Sequence, residues 1–267
     1  MKFYQNINNL QKVNQQFSKL LPSFILLLSL ILIWEAVVRF FNIHPVILPA
    51  PTRILEATVR DWDLLISNMA FTMLEVMIGF AIGFVTGMIL AIMIVYSPSL
   101  EKTVYPLVVA SQTIPVFAIA PLLIIWFGFG IWPKVFIAAL IVFFPICVNE
   151  VEGLRSAEPE MINMLKSLSA GRLKIFRLVE FPASIPYLLA GCQMGITYAV
   201  IGAVIGEWVG SNRGIGNLML QANAMNKTDR VFAAILILSV VTMVLFVSIN
   251  IISKIALPWK DIQKTNS

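Results

Sequence analysis

Six long apolar stretches recur along the chain, and no other feature limits its fold as strongly. A helix that crosses about 30 Å of hydrocarbon needs about 20 mostly apolar residues. Runs of that kind occupy roughly residues 20–41, 67–96, 110–128, 131–149, 186–208 and 230–257. Their interiors lack the two-residue alternation of strands, and they are too long for barrel strands. Helices also satisfy their own backbone hydrogen bonds in lipid, so each run is predicted to be a helix. Composition agrees: 59% of the residues are hydrophobic, 12% are charged, and the mean hydropathy is +0.88. A soluble domain carries about 25% charged residues, and 18 Phe with 6 Trp exclude disorder. The fold class that follows is an all-α polytopic membrane protein with about six transmembrane helices. Pro106, Pro115, Pro121 and Pro133 lie in or beside the third and fourth runs, so their boundaries are the least sharply defined.

The first run continues from Leu20 to Phe41 without a small-residue cleavage site, which predicts a retained span rather than a signal peptide. Ahead of it, Phe3, Ile7, Leu10, Val13, Phe17 and Leu20 recur at three- and four-residue steps. That spacing predicts an interfacial amphipathic helix in segment 1–19, with a frayed polar tail as the alternative. The transmembrane domain is therefore expected over 20–258, with a tail at 259–267. Six spans put both termini on one side, together with the 97–103 and 150–185 loops. Twelve of the 19 Lys and Arg residues fall on that side, so the positive-inside rule assigns it to the cytoplasm of a cell membrane.

The same asymmetry accounts for the net charge of +5 without nucleic acid as a partner. A single histidine, His44, excludes His-rich metal sites and Ser-His-Asp hydrolysis. Cys147 and Cys192 sit in apolar runs without a CxxC partner and are expected to pack as small apolar side chains. Gly79, Gly83 and Gly87 form a four-residue ladder, and Gly202, Gly206 and Gly210 form another. Ladders of this kind let helix backbones touch in lipid. Glu75, a lone carboxylate one turn before Gly79, is expected to pair with a base at an interface, with a place in the pathway as the alternative.

The loop at 150–185 does not behave as a connector. Pro159 suits the first position of a helix, with Glu158 and Glu160 beside its positive end. Met161, Met164, Leu165 and Leu168 then form an apolar stripe at helical spacing. Ala170-Gly171 breaks the run, and Leu173, Ile175, Phe176 and Leu178 begin a second short helix expected to end before Phe181-Pro182. Two short helices, apolar on one face and basic elsewhere, suit docking into a groove of another protein; covering the bundle at the interface is the alternative.

Here the chain resembles the permease subunits of ATP-binding-cassette importers, whose cytoplasmic signature reads EAA, three residues, Gly, nine residues, then I-x-L-P. Aligned on the closing proline, this sequence offers Asn163-Met164-Leu165, Ser169, and Val179-Glu180-Phe181-Pro182. The spacing is kept while Glu-Ala-Ala and the glycine are replaced. Lys166-Ser167-Leu168-Ser169-Ala170 is similar to the family's R-S-L-G-A. Ser111-Gln112-Thr113-Ile114-Pro115, Trp126-Phe127-Gly128, and Glu207-Trp208-Val209-Gly210 followed by Gly214-Ile215-Gly216 resemble the nitrate/sulfonate/taurine branch.

The resemblance implies a type I importer permease fold with a coupling-helix loop, a dimer of ATPase subunits, an extracytoplasmic solute-binding protein and a second permease copy. It assigns ATPase coupling to Glu160, Asn163, Met164, Leu165, Lys166, Leu168, Ser169, Ala170, Gly171, Arg172 and Pro182. No G-x-x-x-x-G-K-[ST] occurs, so ATP, the only cofactor of such a system, would be used by the partner and this chain is not an enzyme. The glycine-rich stretch Gly210–Gly216 reads as a turn.

Polar groups within spans are costly unless they face protein or water, which makes them pathway candidates. Ser111, Gln112 and Thr113 form the densest group, Gln193, Thr197 and Tyr198 share roughly one side of the fifth span, and Glu207 lies near its outer end. Hydrogen bonding between helices is the alternative role for the first group. Ser111–Pro115 and Glu207–Gly210 look most like permeases for pyrimidine precursors of thiamine or related vitamin precursors, with sulfonate, taurine or nitrate permeases as the alternative. A secondary transporter would instead predict internal repeats and buried coupling charges.

Overall fold

A computed structural model describes the backbone of residues 2–257 and the side chains of residues 21–257. The stripe Phe3–Leu20 and the 259–267 tail lie outside the described side chains. Eleven α-helices follow in order: α1 (Lys2–Phe40), α2 (Pro51–Arg60), α3 (Trp62–Tyr96), α4 (Pro98–Ser111), α5 (Val116–Phe127), α6 (Trp132–Arg155), α7 (Pro159–Ser167), α8 (Arg172–Ile175), α9 (Phe181–Gly210), α10 (Ile215–Ala224) and α11 (Thr228–Ala256). A π-helical turn, Phe176–Glu180, joins α8 to α9, and no strand occurs among the described residues.

Among the described residues, five helical segments are long and apolar enough to cross a membrane: Leu21–Phe40, Trp62–Tyr96, Trp132–Arg155, Arg172–Gly210 and Thr228–Ala256. A sixth exists if α4 and α5, bent by 98°, count as one span. That bend corrects the expected third span. A continuous helix over 110–128 is not formed, because Pro115 has no N–H to extend it and sits in extended geometry as the N-cap of α5. Two 3-residue turns, Thr113 N–H to Ala110 O and Ile114 N–H to Ser111 O, close α4 just before the break.

Two further boundaries move. α6 continues to Arg155, which brings Glu150 into the helix at 0% exposure. The second loop helix does not stop before Phe181-Pro182 but runs through the π turn into α9. A π turn bonds i to i+5, as Phe181 N–H does to Phe176 O. The shifted register lets the chain pass Pro182, which cannot donate, without ending the helix.

The chain packs as two units, residues 63–221 with 234–257 among the described residues, and residues 21–62 with 222–233. In the larger unit, glycines set the spacing. A methyl added to Gly79 would stand 2.6 Å from Ala138 Cβ, and one added to Gly83 would stand 2.5 Å from Ala139 O. From α9, a methyl added to Gly202 would stand 2.9 Å from Ala138 Cα, and one added to Gly206 would stand 2.9 Å from Lys134 Cα. Ala138 of α6 is thus held between Gly79 of α3 and Gly202 of α9. Glycine costs a helix interior roughly 0.5–1 kcal/mol relative to alanine, and here it gains van der Waals contact along two backbones. Val76, Val142, Ile146, Ile196, Val200 and Ala203 fill the centre. Cys147 and Cys192 are buried free thiols.

In the smaller unit, Glu35 of α1 accepts from Thr52 N–H at 3.1 Å, Thr52 Oγ1 at 2.9 Å and Arg39 Nε at 2.6 Å. Asp61 receives two bonds from Arg230, at 2.7 and 3.0 Å, while Arg60 reaches Asp229 at 3.2 Å. The Arg230 guanidinium, aided by Arg60, holds the Asp61 carboxyl down at about 2. Phe24, Leu26, Leu28, Leu30 and Leu32 of α1 are exposed, an apolar surface that only lipid or protein can cover.

Candidate functional site

Two regions of the larger unit carry the polar and exposed groups, and they are opposite in kind. The first is the loop between α6 and α9. Pro159 occupies the first turn of α7 beside Glu160, and the helix carries no buried residue. Met164 is 58% exposed and Leu168 71%, with Met161 and Leu173 also exposed. Leu165 and Ala170 are half-buried; Glu160, Asn163, Lys166, Ser169, Gly171 and Arg172 are exposed. The apolar stripe therefore faces outward.

The end of α7 is a Schellman motif. Ser169 N–H bonds to Lys166 O at 2.9 Å and Ala170 N–H to Leu165 O at 3.0 Å. Ser169 has φ +57°, the left-handed geometry that glycine adopts without cost. This is the position at which the family signature carries glycine. Gly171 then serves as N-cap of α8 in ordinary extended geometry. Ala170, Lys166, Arg172 and Glu180 line a pocket of about 320 Å³ with Ile162 and Ile175. Arg172 does not point freely outward: its guanidinium lies 4.4 Å from the centre of the Tyr96 ring. Pro182 is half-buried at the start of α9.

The second region is a buried polar cluster near the start of α3. Glu207, at 1% exposure, accepts from Thr72 Oγ1 at 2.6 Å and from Gly216 N–H at 2.5 Å. Thr72 accepts in turn from Ile215 N–H at 2.9 Å, and Asn68 Oδ1 from Gly214 N–H at 3.0 Å. Side chains of α3 and α9 thereby hold the N–H groups of Gly214, Ile215 and Gly216 at the start of α10. Gly214 has φ +106°, and a methyl there would stand 2.0 Å from Glu207 Oε1. Alongside, Lys134 Nζ pairs with Glu75 at 3.3 Å and donates to Ser211 Oγ at 2.6 Å.

Glu207 is thus buried at the junction of α3, α9 and the start of α10, with Thr72 and Gly216 as its partners. Glu75 has the basic partner expected of it. Lys134, Thr72, Asn68 and Glu150 were not singled out from the sequence. A lone lysine after Pro133 and a lone carboxylate at 75 were the only signals of a pair.

The remaining polar candidates are dispersed. Ser111 and Thr113 return their hydroxyls to Val108 O and Ala110 O, at 2.9 and 2.8 Å, and Gln112 and Thr113 are exposed at the α4/α5 break. Thr197 is half-buried, bonds Gln193 O at 3.0 Å, and lines an open groove of about 760 Å³ between α9 and α11 with Trp208, Thr242 and Phe246. That lining contains none of Ser111, Gln112 or Thr113; Gln193 is half-buried and Tyr198 exposed. No group of three or more His, Cys, Asp or Glu suited to a metal occurs among the described residues.

A bundle of long apolar helices with an outward-facing two-helix loop defines a multi-pass membrane protein. Residues 79–259 match the family described as the binding-protein-dependent transport system inner membrane component, and the chain belongs to it, the membrane permeases of ABC importers. It is 36% identical to a formylaminopyrimidine transport permease protein, ThiX, of Halalkalibacterium halodurans, over 88% of this chain and 94% of that one. It is 35% identical to a probable ABC transporter permease protein of Haemophilus influenzae, over 87% and 95%. The fold is similar to a chain of the MetNI methionine ABC transporter in an inward-facing conformation. That match has a TM-score of 0.65 and 16% identity, covering 74% of this chain and 98% of that one.

Proposed function

We propose that this permease works as a pair with a second copy of itself, above two ATPase subunits and below an extracytoplasmic solute-binding protein. Its cargo is a small polar solute of the thiamine-pyrimidine-precursor class. The observation that carries the coupling part is the outward-facing stripe Met161, Met164 and Leu168, on a helix with nothing buried. An apolar face held in water on rigid short helices has a use only when another surface covers it. Glu160, Asn163, Leu165, Lys166, Ser169, Ala170, Gly171, Arg172 and Pro182 complete this coupling element. Family membership supports the ATPase and binding-protein partners, and the charge bias supports termini in the cytoplasm.

The cargo assignment rests on the likeness to a formylaminopyrimidine permease. Ser111, Gln112, Thr113, Gln193, Thr197 and Tyr198 are the side chains we assign to the pathway. Gln112 is exposed at the break and offers both a donor and an acceptor to a solute losing its water.

The test is reconstitution in vesicles with the ATPase and solute-binding protein that co-purify with it. Labelled formylaminopyrimidine should enter with ATP, and unlabelled taurine or an alkyl sulfonate should not compete. Competition by a sulfonate transfers the cargo to that class, and uptake without any ATPase removes the coupling assignment. Gln112→Leu should lower uptake per assembled complex at an unchanged melting temperature; unchanged uptake removes Gln112 from the pathway.

A further inference from the structure

The docking helix α7 carries no fully buried residue and joins the bundle at its two ends, through residues 156–158 to α6 and through α8 onward. From α8 two routes lead on. One is covalent, through the π turn Phe176–Glu180 into α9. A π turn is rare and occurs mostly as a single-turn bulge inside α-helices; here it breaks the regular i to i+4 ladder, and we take it as the soft point of that route. The other route crosses to α3 through one side chain. Tyr96, the last residue of α3, donates its hydroxyl to Glu180, and its ring lies 4.4 Å beneath the Arg172 guanidinium. Arg172 stands just ahead of the π turn and Glu180 ends it. Phe176, the first residue of the turn, packs on the same ring at 6.1 Å between centroids. One tyrosine therefore touches the first and last residues of the soft segment, Phe176 and Glu180, and Arg172 ahead of it.

α3 contains no proline, and its glycine ladder locks it against α6. Thr72 lies 24 residues before Tyr96, so about 36 Å of helix separates the tyrosine from the buried cluster. Asn68, Thr72 and Glu75 of the same helix belong to that cluster and hold the N-terminus of α10 and Lys134.

We propose that Tyr96 is a positioning residue that staples the π turn to α3, so that movement of the docking loop travels along α3 to the Glu207 cluster and the turn before α10. This rests on the importer reading given above. Without the staple, the π turn absorbs the displacement and the far end of α3 stays still. A packed helix with discrete contacts at both ends is the kind of contiguous element that carries coupling between distant sites.

The experiment uses the whole importer in lipid nanodiscs, with Cys147→Ala and Cys192→Ala and a reporter Asn212→Cys in the exposed turn before α10. Labelling of the reporter by a soluble maleimide is compared without nucleotide and with ATP plus vanadate. Without a change at position 96, the rate should differ at least about threefold between the two states. Tyr96→Phe keeps the ring and its contacts but removes the bond to Glu180. It should erase that difference and lower uptake about tenfold at unchanged complex yield, within the range of measured coupling effects. Glu180→Gln, which still accepts from the hydroxyl, should keep both. A reporter that ignores nucleotide in the parent, or a Tyr96→Phe complex that keeps the difference, overturns the staple. So does uptake that falls only in proportion to yield. Failure of the unsubstituted chain to bind an ATPase overturns the importer reading itself, and the two failures are read from different samples.

Discussion

The docking loop and the Glu207 cluster are both built around a short helix and a glycine-bearing turn, yet they use these parts in opposite ways. α7 presents Met164 and Leu168 outward and closes on its own backbone through Ser169 and Ala170. α10 begins in the interior, where Asn68, Thr72 and Glu207 hold its first N–H groups. In the first region the open contacts are apolar, and under the proposed function a partner covers them. In the second, the polar contacts are made within the chain, with Glu75 Oε2 the one buried oxygen of the cluster left without a partner among the described residues, and an unpaired buried group costs about 1–3 kcal/mol. The first surface stays open, and the second is tied by side chain to backbone.

The sharpest way to break this comparison is one substitution at two glycines. Gly214→Ala meets Glu207 Oε1 at 2.0 Å and forces a side chain onto φ +106°. It should cost at least about 3 kcal/mol from strain and the displaced carboxylate together. Gly171→Ala meets nothing within 4 Å and should stay within about 0.5 kcal/mol. Detergent melting temperatures of the two purified variants measure the contrast. Equal melting would mean that Glu207 is not a tether.

The second prediction separates function from stability. Leu168→Asp places a charge on a side chain 71% exposed, so melting should be unchanged within about 0.5 kcal/mol. In the docked complex the same carboxylate would have to be desolvated, which costs several kcal/mol. ATP hydrolysis should then be uncoupled from solute uptake. Leu165 is half-buried, so Leu165→Asp mixes the two effects. Normal transport by Leu168→Asp would remove the stripe from the docking surface.

The spans were legible because twenty apolar residues in a row leave the backbone few alternatives to a helix. The start of α7 was legible from Pro159 and its stripe from Met161 to Leu168. The helix through Phe181-Pro182 was not, since a π turn has no residue signature and a proline reads as a stop. Glu150 and Lys134 were hidden for a related reason. A charge at the edge of an apolar run reads as the end of a span, and only the neighbouring helices supply Ser184 for Glu150 at 2.9 Å and Glu75 for Lys134. Prolines announced the α4/α5 interruption, but which one bends the chain depends on the geometry at Gln112–Pro115. Glu207 was legible as a polar group near the end of a span, but its partners were not, because they are the Thr72 hydroxyl on α3 and the Gly216 N–H nine residues onward in an unlike turn.

A third region, the Asp61–Arg230 corner, sharpens the comparison through pH. The Asp61 carboxyl is depressed from 3.8 to about 2 by Arg230 and Arg60. A group depressed on folding contributes stability above its unfolded value, and that contribution is lost as pH falls through the folded value. The corner should therefore be intact above about pH 4 and weaken toward pH 2. Arg60 reaches water, so the contribution is about 1–2 kcal/mol rather than the full conversion of the shift. Asp61→Asn should melt below the parent at pH 7, and the gap should narrow as pH drops toward 3. A gap that stays constant with pH would show that the ion pair contributes nothing.

The smallest expected effect lies at Ser169, where the docking loop departs from its family's glycine. Left-handed geometry costs an L-residue roughly 1–2 kcal/mol, while glycine adds chain entropy to the unfolded state. Ser169→Gly should gain the difference, about 0.5–1 kcal/mol, and it should gain it locally. The bonds from Ser169 N–H to Lys166 O and from Ala170 N–H to Leu165 O close this end of α7. Both amides should exchange more slowly with solvent in the glycine variant. The cluster around Glu207 shares no residue with this turn, and its amides, Gly216 among them, should exchange as before. Ser169→Val reverses the sign, since a β-branched side chain resists positive φ most strongly. Amide exchange followed by mass spectrometry on the three proteins decides it. If glycine and valine leave α7 equally protected, the φ of +57° at Ser169 is not what ends the docking helix, and the Schellman closure is held instead by Leu165 and Ala170.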